Sequence, residues 1–139
     1  MSNSSGSVVP LLGRILMSQI FILAGINKLM NFSMMTGYVA AAHLPLPKVS
    51  LAIAAAIEVL GGLAILTGFH TKLAAWILFL FLIPTTILFH NFWAMQGDAR
   101  MDNLGHFQKN LAIMGGLLIL AAFGAGAYSI DSAGGPKAS

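Results

Sequence analysis

Cysteine is missing from this chain and charge nearly so: none of its 139 residues is Cys, and only 8% are Asp, Glu, Lys or Arg. The first absence excludes disulfides, iron–sulfur clusters, thiolate nucleophiles and dithiol relays together, so any electron chemistry needs a bound cofactor or a partner protein. It leaves the compartment open. The second excludes a soluble globule, whose wetted surface takes about 25% charged residues. Seven Lys and Arg stand against four Asp and Glu, but they are scattered singly among apolar segments and form no stripe, which sets nucleic acid aside as a partner. The N-terminal tail, Met1 to Ser7, lacks a charged n-region, and no small-residue cleavage site follows the first apolar stretch. A cleaved signal peptide is not expected.

What the chain does have is hydrocarbon, at 58% hydrophobic residues. Four apolar runs stand out: Val9 to Met30, Val49 to Phe69, Leu73 to Phe92 and Asn110 to Tyr128. Each suffices to cross a ~30 Å hydrocarbon layer at 1.5 Å per residue, and backbone groups in lipid must be satisfied within the segment, so each is read as a helix. The lipid bilayer is the surrounding solvent. The fold class is therefore all-α, an up-down-up-down four-helix bundle with no room for a separate soluble domain. Both termini and the turn His70-Thr71-Lys72 fall on one side (the terminal side), and the connections Asn31 to Lys48 and Trp93 to Lys109 on the other (the loop side). In the first connection Phe32, Met35, Tyr38 or Val39, and Ala42 recur at helical spacing before Pro45 and Pro47, which predicts a short interfacial helix, either a lid over the bundle mouth or a plain connector. The second connection, with Phe92-Trp93 as an interfacial anchor and Asp98, Arg100 and Asp102 beyond, reads as a solvated loop. Lys48 and Arg100 on one side balance Lys72 and Lys137 on the other, so charge does not orient the bundle.

Ionisable groups inside a span are costly, of order 2.5–3.5 kcal/mol at the centre, so each needs a reason. Arg14, Ser18, Phe21, Gly25 and Lys28 share one stripe of the first helix. Glu58 sits among Ala54, Ala55, Gly61 and Gly62, a small-residue surface that lets another helix approach closely. It lies about 13 Å from the loop-side end of its helix, near the midplane. Helical side chains lean toward their own N-terminus, so Lys28 and His90 lean inward from the loop side and Glu58 leans toward them. Lys28, Glu58 and His90 are predicted to meet in the loop-side half of the bundle, with Asn27, Lys109 and Asn110 near its mouth. Arg14 leans the other way and is expected to snorkel to the terminal side. The bland alternative is an ion pair that only fixes helix register. Haem is disfavoured, because of His43, His90 and His106 only His90 falls within a helix. Copper on Met30, Met34 and Met35 is disfavoured too, since flexible methionines there suit lipid packing.

These residues together resemble the DoxX family of small four-helix membrane proteins from about Leu12 to Asp131. The likeness is carried by Gly13-Arg14 with Ala24-Gly25-Ile26-Asn27-Lys28-Leu29, by Glu58-Val59-Leu60-Gly61-Gly62, by Gly68-Phe69-His70-Thr71-Lys72, by Phe89-His90-Asn91-Phe92-Trp93 and by Lys109-Asn110-Leu111-Ala112. It implies polar tails at 1–8 and 131–139 around a membrane domain at 9–130, in the cell (inner) membrane. It also implies membrane oxidoreductase or detoxification components; the family's namesake is linked to thiosulfate oxidation with electrons passing to quinone. Without cysteine this chain would need a soluble or membrane redox partner, and whether it is an enzyme by itself stays open. The expectation is a quinone-linked subunit in which Glu58 and His90 handle protons as the catalytic pair, Lys28, Asn27, Lys109 and Asn110 bind the head group, and Arg14 is structural; a metal is not expected. A non-enzymatic assembly subunit is the rival, and a small transporter, which would need a homo-oligomer for alternating access, the third.

Overall fold

The computed structural model describes residues 7–134; most of the tail expected at 1–8, and the end of the one expected at 131–139, lie outside it. Four long helices are apolar enough to span a membrane. The first, α1 (Val9–Met30), has the predicted bounds, with Pro10 in its first turn where the missing N–H is harmless. Next comes α2 (Phe32–Ala41), the short helix predicted in the first connection, which lays Val39 against the bundle. The second span is α3 (Pro47–Thr67) and the third is α4 (Thr71–Phe89), which runs unbroken through Pro84. After a 3-10 turn at Phe92–Ala94 the chain enters α5 (Gly97–Phe123), the longest helix at 27 residues. The solvated loop expected from Trp93 to Lys109 is thus replaced by a helical extension, which leaves seven connecting residues, 90–96, between α4 and α5. A single turn, α6 (Ile130–Ala133), follows.

The bundle is built from two hairpins: α1 packs most extensively on α3, α4 on α5, and α3 joins them. Small residues explain the first pairing. A Cβ on Gly25 would stand 2.6 Å from the Val59 side chain, and one on Gly62 would stand 2.7 Å from that of Ile22. Only glycine lets these backbones meet. The core then fills with Phe21, Ile65, Ala75, Leu78, Leu82 and Leu117, contributed by all four spans.

The α3–α4 turn is fixed from a distance. Gly68, at φ +70°, ends α3 in a Schellman motif, with Phe69 N–H donating to Ala64 O at 2.9 Å and Gly68 N–H to Ile65 O at 3.2 Å. The first amides of α4 have no local cap. They are satisfied by Asp131, 60 residues on, whose Oδ2 accepts from Thr71 N–H at 2.9 Å and whose Oδ1 accepts from His70 N–H at 2.8 Å. Asp131 N–H in turn donates to Gly68 O at 2.8 Å. Burial alone would push the Asp131 carboxyl up, but the bonds from Thr71 and His70 outweigh it and hold the group below its ordinary 3.8.

Candidate functional site: an ion pair between the first two spans

On the loop-side half of the α1–α3 hairpin, Lys28 Nζ donates to Glu58 Oε1 at 3.0 Å and lies 2.8 Å from Oε2. The close backbone approach at Gly25 and Gly62 brings these side chains within reach. Glu58 is 7% exposed at its side chain and Lys28 19%, so the carboxylate faces the interior and the ammonium keeps an edge open. Glu58 Oε2 is buried, and the ammonium it shares with Oε1 is its partner.

His90 is elsewhere. It caps the C-terminus of α4 at φ −124° and ψ 42°, outside helical geometry, and its ring turns to α5. There Nδ1 lies 3.3 Å from Asn103 Oδ1, and the imidazole stacks on His106 at 5.1 Å between centroids. Among the described residues no hydrogen bond or ion pair joins His90 to Lys28 or Glu58. Lys109 Nζ is 3.3 Å from His106 Nδ1 and extends this second cluster. Asn103 and His106 were missed as partners because their segment reads as a loop; the available signal was the spacing Asn103, His106, Lys109, Asn110, a polar stripe of helical period.

The other singled-out residues hold helices together. Asn110 is buried, and its Nδ2 donates to Thr86 Oγ1 at 3.0 Å, tying α5 to α4. Asn27 accepts from Asn31 Nδ2 at 2.8 Å and faces outward at the end of α1. Arg14 does not snorkel. At 1% exposure it donates from Nη1 to Leu66 O at 2.8 Å and Ile65 O at 3.3 Å, and from Nη2 to Tyr128 O at 2.6 Å. The last carbonyls of α3 lack helical partners and carry the negative end of its dipole, and this guanidinium supplies what snorkelling to water would otherwise provide. Clefts open at other places: an apolar one between α3 and α4 around Ile53, Leu60 and Ile77, and one on the terminal side around Lys72, Gly124 and Asp131.

The DoxX family model matches residues 9–91. The inner membrane protein YphA of Escherichia coli is 36% identical over 124 residues, 89% of each chain. The inner membrane protein YqjF of the same organism is 42% identical over 87% of this chain and 88% of its own. The ER-derived vesicles protein ERV29 of Saccharomyces cerevisiae is 33% identical over 54% of this chain but only 24% of its own length. No solved structure matches. The chain belongs to the DoxX family and is a multi-pass membrane protein.

Proposed function

We propose that this DoxX protein is a quinone-linked subunit of an oxidoreductase or detoxification system in the inner membrane, with the Lys28–Glu58 pair as its head-group site. The observation that carries this is unused capacity in a buried pair: one ammonium serves both Glu58 oxygens, Oε1 at 3.0 Å and Oε2 at 2.8 Å, and Lys28, with three N–H donors and an edge left open, meets only Glu58 among the described residues. Arg14 shows what a wholly structural cation looks like in the same helix, buried and with both terminal nitrogens committed to backbone carbonyls. A quinone, when bound, supplies two-electron chemistry that a chain without cysteine cannot. Lys28 Nζ would donate to its carbonyl oxygen, and Glu58 Oε2 would accept the proton of the reduced hydroxyl. His90, with Asn103 and His106, would exchange protons nearer the surface as a separate station, and the electrons would pass to a soluble or membrane partner.

A second reading, an assembly subunit, is favoured by one fact: Lys28 and Glu58 neutralise each other and join the same helices that Gly25 and Gly62 bring together. Binding of ubiquinone and menaquinone analogues to the reconstituted protein separates the two. Saturable binding by the wild type, lost at least tenfold in a folded Glu58→Gln variant, is the expected result. No binding by the wild type would overturn the quinone assignment, and a Glu58→Gln protein that does not accumulate would move Glu58 to the structural role.

A further inference from the structure

We propose that the lipid-facing side of α1 is the seam of a parallel homodimer, with Gln19 of the two copies hydrogen-bonded to each other at its centre. Leu12, Leu16, Gln19, Leu23, Ile26 and Met30 follow a four-three-four-three-four spacing, the repeat of a coiled-coil seam. All six are exposed, Leu16 to 72% and Met30 to 80%. At ~100° per residue the stripe is centred roughly opposite the buried face made by Arg14, Ser18, Phe21 and Gly25. It runs about 27 Å, close to the full hydrocarbon thickness.

An exposed apolar stripe in a membrane helix is satisfied by lipid, and the aliphatic residues alone require no partner. Gln19 does. It sits midway along α1, its side chain makes no hydrogen bond among the described residues, and acyl chains offer it neither donor nor acceptor. Lys109, which borders the same groove between α1 and α5, is turned to His106. A primary amide is self-complementary, carrying both a carbonyl and an N–H2 group. In the proposed dimer both copies insert with one orientation, and a two-fold axis along the membrane normal sets α1 parallel to the partner's α1 and places like residues opposite one another. Such an axis brings the two Gln19 amides face to face, each donating to the other. A single polar residue in an apolar seam also fixes register and oligomer state.

The absence of cysteine makes the test clean. Leu16→Cys, Leu23→Cys and Ile26→Cys, each the sole thiol in the full chain, are oxidised with copper phenanthroline in native membranes beside Leu60→Cys on α3 and Leu80→Cys on α4, which are also exposed to lipid. Dimer bands at the three α1 positions and none at the two controls are expected. Adding Gln19→Leu to Leu23→Cys should lower the dimer yield severalfold, while Gln19→Asn should preserve it. Yields at α1 no higher than at the controls would overturn the proposal and assign the stripe to lipid. So would an unchanged yield with Gln19→Leu, or adducts whose mass is not that of two copies.

Discussion

The strongest contrast among the polar residues is between one that caps and one that is left open. Asp131 stands in for a missing N-cap from 60 residues away, and replacing it with Ala should lower thermal stability by about 1 kcal/mol. The sign of the pH dependence follows from its lowered pKa: the contribution is present in full above the ordinary value and is lost as pH falls through the folded one. The gap between wild type and Asp131→Ala in detergent melting curves should therefore be constant near neutrality and close below about pH 4. For the ion pair, Lys28→Met alone leaves a buried carboxylate without a partner and should cost on the order of 3 kcal/mol, most of it recovered when Glu58 is also replaced by Leu. Melting the single and double variants side by side reads this directly. The Lys28–Glu58 contact was legible because both residues are mid-helix, where lean and depth follow from position. His90 was not, since a C-cap residue leaves helical geometry and its lean is no longer set by the helix. The role of Asp131 has no local signature at all.

Among the elements, the close crossing of α1 and α3 rests on glycines whose neighbours leave no room. Gly25→Val should destabilise by about 1–3 kcal/mol through overpacking against Val59 and the Ala55 carbonyl. Gly13→Ala, where a Cβ would meet nothing within 4 Å, should be neutral or gain up to about 1 kcal/mol. Thermal denaturation of the two variants separates tight from open glycines in one helix. The first helix could be bounded from the sequence because its apolar run and its helix coincide. The fourth could not: hydropathy marks where a helix leaves the membrane, and α5 continues for several turns into water as a polar stretch from Gly97 to Lys109. Those turns carry Asn103 and His106 to His90.

At the scale of the whole molecule, two hairpins enclose a bundle whose ionisable groups serve different ends. Arg14 and Asp131 lock the terminal side, Asn110 ties α4 to α5, and Lys28 with Glu58 bridges the first hairpin, one ammonium shared by both carboxylate oxygens. The four-span architecture was readable from composition and run length, because a bilayer imposes both. The division of labour among the polar groups was not, because it depends on which side chains find partners across helices. The Lys28–Glu58 pair is proposed to hold a small amphiphile as well as two helices. The most direct measurement is mass spectrometry of small molecules retained by the gently solubilised protein, wild type against the charge-swapped Lys28→Glu/Glu58→Lys variant at equal folded abundance. A quinone carried by the wild type and absent from the swap is the predicted result; a folded wild type that retains no quinone, or equal amounts in both proteins, would contradict it.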